Sequence, residues 1–183
     1  MRNIYVFSGP CGCGKSTLSQ AFAGHLIQTG ERLQVYVIHG DSFHQGFVET
    51  ERQVGPDCPR FLYWADILRF NWECILAVAQ KALARDLDVV IDYVVEDELP
   101  LLMELAKHSG ARLHYVVLTA SEEELRQRLI QRGSSELIDR SLFLKQKLDH
   151  MPENQHHLYN ISGKTVEQEI ADLAVSRYAV DLP

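Results

Sequence analysis

The sequence predicts an α/β fold, a three-layer sandwich in which helices cover both faces of a five-stranded parallel sheet. Short β-branched and aromatic runs alternate along the chain with longer segments of helical periodicity. The run DLDVVIDYVV at 86–95 is almost continuously apolar, as is typical of a central strand buried on both faces. A glycine-rich loop joins the first predicted strand to the first predicted helix.

The strands are predicted from apolar runs that end at turn residues, and they lie at 3–8, 33–38, 86–95, 111–118 and 156–162. Helices are predicted where apolar residues recur at helical spacing after a start signal, such as the capping pairs Ser121/Glu124 and Thr165/Gln168. They lie at about 15–29, 61–85, 100–109, 121–133 and 136–150, and the last begins at about 165. The segment HGDSFHQG at 39–46 is predicted as a loop that leaves the second strand. The segment 43–60 carries Gly46, Gly55, Pro56 and Pro59 and is predicted as mostly irregular chain.

The composition is that of one globular domain, 1–183, because 46% of the 183 residues are hydrophobic. The apolar runs are far shorter than the roughly 20 residues that cross a bilayer, and the N-terminus lacks a secretory apolar region. We therefore expect a cytoplasmic protein with no membrane association, either a monomer or a homodimer. The formal charge of −7 argues against nucleic acid as a partner, although an acidic protein can carry a local basic cleft.

Residues 9–16, GPCGCGKS, satisfy the pattern G-x-x-x-x-G-K-[ST] between a predicted strand and a predicted helix, which indicates a phosphate-binding P-loop. Glycines let backbone N–H groups turn toward an anion, Lys15 brings a positive charge to the β- and γ-phosphates, and the Ser16 hydroxyl can ligate Mg²⁺. The predicted nucleotide-binding residues are Gly9, Pro10, Cys11, Gly12, Cys13, Gly14, Lys15, Ser16 and Thr17. The alternative is a glycine-rich turn that opens an ordinary helix.

Cysteines occupy two variable positions of this loop, Cys11 and Cys13, where small side chains suffice. We interpret them as space-filling residues, with a redox-sensitive thiolate at the helix N-terminus as the alternative. The four cysteines of the chain, at positions 11, 13, 58 and 74, show no C-x-x-C spacing, so a disulfide framework is not expected.

Two aspartates follow predicted strands, and the carboxyl ends of parallel strands open onto one ligand edge. Asp41 follows the second strand, where its carboxylate can orient an acceptor hydroxyl and take its proton. Asp92 ends VVID, the position of a carboxylate that reaches Mg²⁺ directly or through water. Each aspartate has a simpler alternative as the cap of a turn or helix.

Four arginines lie around the predicted turn at Gly133, and we interpret the segment 126–145 as a lid that closes on the phosphates. They are Arg126, Arg128, Arg132 and Arg140. The alternative is a solvated helix face.

The segments GPCGCGKST, HGDSFH, VVIDYV and RQRLIQRG, in this order, resemble those of the small P-loop kinases, which include gluconate kinase, chloramphenicol phosphotransferase and, more distantly, the zeta-toxin kinases and adenylate kinase. The resemblance spans about residues 3–145 and implies the strand order 2-3-1-4-5. It also implies that Asp41 is the catalytic base, that Arg128 lies beside the adenine, and that Arg132 is a catalytic residue that contacts phosphate.

The gluconate kinase pattern G-D-x-x-H is matched by Gly40, Asp41 and His44, but Gln45 stands where a proline is expected. The substrate segment is about 43–72, and within it FVETERQVGPDCPR, residues 47–60, matches no relative, so the acceptor is not implied. The candidate acceptor-binding residues are His44, Arg52, Arg60 and Arg69. Four aromatic residues are interpreted as core or cleft wall, with a platform for a ring-bearing acceptor as the alternative: Tyr63, Trp64, Phe70 and Trp72.

These features together predict a phosphotransferase that uses ATP and Mg²⁺ and transfers the γ-phosphate to a hydroxyl of a small molecule. A sugar acid, a nucleoside-like compound and an antibiotic all remain open as the acceptor. A polynucleotide 5′-hydroxyl kinase and a nucleotide-binding switch with little transferase activity are the alternative functions.

Overall fold

The computed structural model describes residues 1–47, 63–173 and 175–182, and within them the sheet has the predicted architecture. All four strand pairings are parallel and the strand order is β2-β3-β1-β4-β5, which confirms the predicted fold class and order. The strands are β1 Asn3–Ser8, β2 Val35–His39, β3 Asp88–Asp92, β4 Arg112–Thr119 and β5 Leu158–Asn160.

Seven α-helices are found in the described residues: α1 Lys15–Gln28, α2 Asp41–His44, α3 Trp64–Leu83, α4 Leu99–Ser109, α5 Glu122–Gln131, α6 Ile138–His150 and α7 Val166–Asp172. Three short 3-10 turns accompany them, at Ser135–Leu137, Pro152–Asn154 and Val175–Tyr178. None of the helices in the described part of the chain is both long and apolar enough to cross a membrane.

Alternating residues of the strands face two separate apolar layers. Ile4 and Val6 of β1 pack into the layer that contains Trp72 of α3, whereas Tyr5 and Phe7 pack into the layer on the α1 side. Because successive side chains of a strand point to opposite faces, this alternation requires helices on both sides of the sheet. β3 is buried at every position, as expected for a strand with a neighbour on each side.

Several helix signals act as the sequence predicts. The side chain of Ser121 accepts a hydrogen bond from the N–H of Glu124, and Thr165 and Gln168 form a complete capping box. Gly133 follows α5 with a φ of 74°, in the left-handed region that glycine adopts without strain.

The predicted loop at 39–46 was wrong, because His39 is the last residue of β2 and residues 41–44 form the helical turn α2. β2 begins at Val35 rather than at Leu33, whose side chain is 92% exposed and has no layer to pack against. β3 is shorter than the predicted strand at 86–95, since Asp86 adopts a positive φ of 62° in the turn before it and the strand ends at Asp92. Most of the predicted irregular segment and the predicted start of α3 lie outside the described residues.

Candidate active site

The P-loop follows β1 and carries its glycines where side chains cannot fit. Gly9 has a φ of 143°, and a Cβ placed there would lie 2.6 Å from the backbone oxygen of Leu118. Gly12 has a φ of 82°, and its Cβ would lie 3.0 Å from the side chain of Leu129. The glycines of the motif therefore allow the loop to pack tightly between β4 and α5 as well as to approach an anion.

Lys15 begins α1 and turns back across the P-loop. Its ammonium donates hydrogen bonds to the backbone oxygens of Gly9 at 2.9 Å and Pro10 at 3.0 Å. The positive charge consequently lies over the loop whose backbone N–H groups are expected to receive phosphate. The ammonium of Lys15 is therefore held on the P-loop by two backbone oxygens.

Asp92 ends β3 beside the start of α1, and its carboxylate is 2% exposed. Ser16 Oγ donates to Oδ1 at 2.7 Å, Ser19 Oγ donates to Oδ2 at 2.8 Å, and His39 Nδ1 lies 2.5 Å from Oδ2. Because a carboxylate only accepts hydrogen bonds, His39 donates through Nδ1–H. The predicted pair Ser16 and Asp92 is therefore in contact.

Sequence reasoning missed Ser19 and His39 in this network. Ser19 follows Ser16 at helical spacing of three, which places both hydroxyls on one face of α1. His39 ends the strand next to β3, and the register pairs it with Asp92. Both residues can be connected with Asp92 only when the strand order is known, because that order places β2 next to β3.

The side-chain oxygens of Ser16 and Asp92 are suitable ligands for Mg²⁺. Mg²⁺ takes oxygen ligands and in kinases is held by one or two protein groups together with phosphate oxygens and water. The described residues contain no group of three or more His, Cys, Asp or Glu side chains that would form an all-protein metal cage. A hydroxyl and a carboxylate oxygen 2.7 Å apart at the P-loop are consistent with shared coordination of one hard cation.

Asp41 is the first residue of α2 and follows Gly40, which contacts the backbone of Asp92. The N–H of Gly40 donates to the backbone oxygen of Asp92 at 3.0 Å, which fixes the end of β2 against the end of β3. A Cβ on Gly40 would lie 2.4 Å from the ring of Tyr93, so only glycine lets α2 start this close to β3. Asp41 itself is exposed.

His44, Asn71 and Tyr93 form a polar cluster beside Asp41. Asn71 Nδ2 donates to the hydroxyl of Tyr93 at 2.8 Å and lies 3.3 Å from His44 Nδ1. Burial raises the pKa of the Tyr93 hydroxyl, the Asn71 hydrogen bond opposes that shift, and the negative charge of Asp41 adds to it. Asp41 is therefore one of the negatively charged residues near Tyr93.

The predicted lid residues pack against the P-loop through α5 and α6. Ser141 of α6 is buried and donates through Oγ to the backbone oxygen of Cys11 at 2.7 Å. Arg128 makes an ion pair with Glu124 at 2.6 Å, and Arg132 donates to Ser134 Oγ at 3.2 Å.

Arg140 and Lys147, on α6, both bind the carboxylate of Glu96 beyond the end of β3. Neither Glu96 nor Ser141 was among the predicted site residues. The four predicted lid arginines therefore do not converge on one point, since Arg128 and Arg140 have different carboxylate partners and Arg126 is exposed.

The cysteines of the P-loop differ in their surroundings. Cys13 is 1% exposed, and burial raises the pKa of its thiol although the charge of Lys15 opposes that shift. Cys13 therefore packs as a neutral group, as the space-filling interpretation expects. Cys11 is half-buried, and both residues, like Cys74, are free thiols in the described chain, whereas Cys58 lies outside it.

The structure describes part of the predicted acceptor side. Arg69 is exposed on α3, while Arg52 and Arg60 lie outside the described residues. Trp72 is a core residue, 4% exposed, with its ring edge-to-face against Tyr93. The other three aromatic residues, Tyr63, Trp64 and Phe70, are 72%, 53% and 44% exposed.

The chain is similar to several known kinases. The guanylate kinase of Helicobacter pylori is 29% identical over 148 residues, which cover 76% of this chain and 70% of that protein. The crystal structure of a gluconokinase from Sinorhizobium meliloti 1021 matches with a TM-score of 0.57 and 22% identity, covering 97% of this chain and 93% of that one.

The structure of the Mycobacterium tuberculosis APS kinase CysC, in complex with AMPPNP and APS, matches with a TM-score of 0.68 and 14% identity, covering 94% of this chain and 95% of that one. At these identities the two solved structures show a shared fold. The family model described as an AAA domain matches residues 4–157, which is most of the chain. Together with the P-loop geometry, this match shows that the chain belongs to the AAA domain family and is a P-loop kinase.

Proposed function

We propose that this kinase transfers the γ-phosphoryl group of ATP, in the presence of Mg²⁺, to a hydroxyl group of a small molecule. The observation that carries the proposal is the position of Asp41. Ser16 of the P-loop binds the Asp92 carboxylate, and the backbone oxygen of Asp92 binds the N–H of Gly40, the residue before Asp41. A carboxylate at this place lies beside the phosphate and metal residues without being one of them.

In this function the P-loop and the lid, residues 126–145, bind ATP. Backbone N–H groups of the P-loop, those of residues 9 and 11–17, and the ammonium of Lys15 bind the phosphates, while Ser16 and Asp92 hold the metal. When bound, Mg²⁺ neutralises charge on the β- and γ-phosphates. Arg128 lies beside the adenine, and Arg132 and Arg140 contact the transferred group when α5 and α6 close over it.

In the transfer step the acceptor oxygen forms a bond to the γ-phosphorus while the bond from that phosphorus to the bridging oxygen breaks. ADP leaves with the electron pair of the broken bond. Asp41 orients the acceptor hydroxyl for in-line attack and accepts its proton. The Asp41 carboxylate is regenerated when it passes that proton to water.

The acceptor classes we retain are sugar acids, nucleoside-like compounds and antibiotics. A second candidate is a nucleoside monophosphate kinase, which is favoured by the 29% identity to guanylate kinase. Its acceptor is a phosphate oxygen that is already ionised, so it needs no base at Asp41. The net charge of −7 argues against a polynucleotide as the acceptor.

The test is ADP release from Mg²⁺-ATP with a panel of acceptors: sugar acids, nucleosides, GMP, aminoglycosides, chloramphenicol and 5′-hydroxyl oligonucleotides. The Lys15→Ala variant serves as the blank. We expect one class whose accepting group is an un-ionised hydroxyl to raise ADP release in the native protein only, and Asp41→Asn to lose that response. Stimulation by GMP that survives Asp41→Asn supports the second candidate instead.

A further inference from the structure

Asn71 is a fully buried amide in the middle of α3, directed at α2. Its Nδ2 group supplies two hydrogens, one to the Tyr93 hydroxyl at 2.8 Å and one to His44 Nδ1 at 3.3 Å. The residue itself is 0% exposed. Asn71 therefore connects the end of the central sheet to the helical turn that carries Asp41.

The carbonyl end of the same amide has no hydrogen-bond partner within the ranges that the structure describes. Leaving a buried polar atom unsatisfied destabilises the folded state, and an apolar side chain of similar volume avoids that loss. A residue whose only task was to fill this space would not need an amide. The amide of Asn71 therefore has a role in its contact with His44.

A hydrogen bond from Asn71 to His44 Nδ1 fixes the form of the imidazole. In neutral histidine one ring nitrogen accepts and the other carries the proton, so a donor at Nδ1 leaves the proton on Nε2. The Tyr93 hydroxyl stays protonated because burial raises its pKa, and its ring is held between Gly40 and Trp72. The amide is thus held by a rigid neighbour.

His44 and Asp41 are three residues apart in α2, so their side chains lie on one face of the turn. Asp41 offers a carboxylate that accepts a hydrogen bond, and His44 in this form offers an Nε2–H that donates one. The two groups match a pair of neighbouring oxygens, one that gives up its proton and one that presents a lone pair. A vicinal diol and a 2-hydroxy acid both have this pattern.

We propose that Asn71 is a positioning residue that, with Tyr93, holds His44 with its proton on Nε2, and that this N–H selects acceptors carrying a second oxygen next to the phosphorylated hydroxyl. The inference rests on the proposed function for its acceptor and on the Asn71 contacts for its tautomer. These two parts are tested separately.

The first experiment measures the His44 tautomer by ¹⁵N NMR of the native protein at about pH 8, where a histidine of ordinary pKa is neutral. A His44→Gln variant assigns the His44 signals among the eight histidines. We expect the proton on Nε2 in the native protein and on Nδ1 in Asn71→Asp, because a carboxylate only accepts hydrogen bonds. A proton on Nδ1 in the native protein, or an unchanged tautomer in Asn71→Asp, would overturn the proposal.

The second experiment uses the acceptor identified by the panel and an analogue that lacks the neighbouring oxygen. In the native protein we expect kcat/KM to favour the complete acceptor by about two- to tenfold, the effect of one hydrogen bond. Asn71→Leu should remove most of that preference by raising the KM for the complete acceptor, and leave the KM for ATP unchanged. Equal losses for both acceptors would mean that Asn71 acts only on the fold.

The matched control is Ile75→Val, a smaller change at a fully buried position one turn further along α3. It should lower stability and leave both the tautomer and the acceptor preference as they are. If no acceptor raises ADP release, the proposed function fails. In that case the tautomer measurement still decides whether Asn71 sets the form of His44.

Discussion

Ser16 and Asp92 lie 76 positions apart in the sequence and are joined by a hydrogen bond of 2.7 Å between Ser16 Oγ and Asp92 Oδ1. This bond connects the first turn of α1 to the end of β3. The second carboxylate oxygen is bound by Ser19 and His39. The site that we assign to Mg²⁺ is therefore organised by protein donors before a nucleotide enters, which reduces the rearrangement needed on binding.

Replacing Asp92 by asparagine should remove most Mg²⁺-dependent turnover, by on the order of a hundredfold or more, because the amide is neutral and presents only one accepting oxygen. The measurement is kcat as a function of Mg²⁺ concentration, with the fold checked by circular dichroism. Ser19→Ala is the control, since it removes one bond to Asp92 and leaves Ser16 and the carboxylate in place. Its effect should be about tenfold or less. An unchanged Mg²⁺ dependence in Asp92→Asn contradicts the metal assignment.

The variants Lys15→Ala and Asp41→Asn should differ in their effects on nucleotide affinity and on phosphoryl transfer. Lys15→Ala removes the charge that lies over the P-loop, so both nucleotide affinity and transfer should be lost. Asp41→Asn should bind ATP as the native protein does and lose at least about a hundredfold in transfer, the range of general base catalysis. Calorimetric titration with a non-hydrolysable ATP analogue, beside ADP-release kinetics, separates the two. Equal loss of nucleotide affinity in both variants refutes the role given to Asp41.

The parts of the fold that rest on local signals could be predicted from the sequence. The P-loop can be recognised because all residues of its pattern are consecutive in the sequence. The capping pair Thr165/Gln168 begins α7 as expected. The strand order needed a resemblance, because alternation of strands and helices does not fix which strand lies at the centre.

The parts that were missed depend on contacts between distant elements. α2 was predicted as loop because four residues carry too little periodicity to reveal a helical turn. The role of Glu96 depends on Arg140 and Lys147, which lie more than forty positions away. The sequence around Asn71 does not distinguish it from other polar residues of a long helix, because its contacts with His44 and Tyr93 depend on how α2 and β3 pack against α3.

Glu96 should control the position of the α6 cations. It accepts from Arg140 and, at 3.0 Å, from Lys147. Burial lowers the pKa of Lys147, but the hydrogen bond to Glu96 and the charges of Glu96 and Asp97 outweigh it and raise that pKa overall. Glu96→Gln keeps the shape but weakens both contacts, so the KM for ATP should rise by about threefold to tenfold with a smaller change in kcat. Steady-state kinetics in ATP measures this.

Asp97→Asn is the matched control for Glu96→Gln, because Asp97 also faces Lys147, at 3.5 Å, but is 83% exposed. Pairs of this kind contribute little, so its kinetics should be close to native. Indistinguishable kinetics of Glu96→Gln and the native protein would show that Glu96 does not position Arg140 and Lys147 for nucleotide binding.

Adding a methyl group at Gly40 should displace α2. The new Cβ would lie 2.4 Å from the Tyr93 ring, which is itself held by Trp72, so neither side can give way easily. Gly40→Ala should therefore lower the free energy of unfolding by about 1–3 kcal/mol and reduce transfer by moving Asp41. Urea denaturation and ADP-release kinetics measure the two effects.

Gly24→Ala provides the contrast, because Gly24 lies inside α1 and a Cβ there meets nothing within 4 Å. The helix propensity of alanine should raise the free energy of unfolding by about 0.5–1 kcal/mol without changing transfer. If Gly40→Ala is as stable and as active as Gly24→Ala, then α2 does not depend on close contact with Tyr93.

His114 should make the fold less stable below about pH 6.5. Burial lowers the pKa of this imidazole from its ordinary value of 6.5, the nearby charge of Arg112 also lowers it, and the hydrogen bond to Val175 opposes the shift. Because the folded pKa is the lower one, the unfolded chain takes up the proton first. Stability is therefore complete above the unfolded pKa and is lost as the pH falls toward the folded pKa, with a slope of at most about 1.4 kcal/mol per pH unit from this residue.

His114→Phe tests this while keeping an aromatic ring stacked on Tyr5, whose centroid lies 4.9 Å from that of the imidazole. Near pH 8 the variant should be less stable by about 1 kcal/mol, since it lacks the hydrogen bond to Val175. As the pH falls, the native protein should lose stability faster than the variant, so the two curves of unfolding free energy approach each other. His157, whose pKa is also lowered by burial, remains in both proteins and leaves a shared slope. Parallel curves from urea denaturation between about pH 8 and pH 5.5 would show that another group carries the pH dependence.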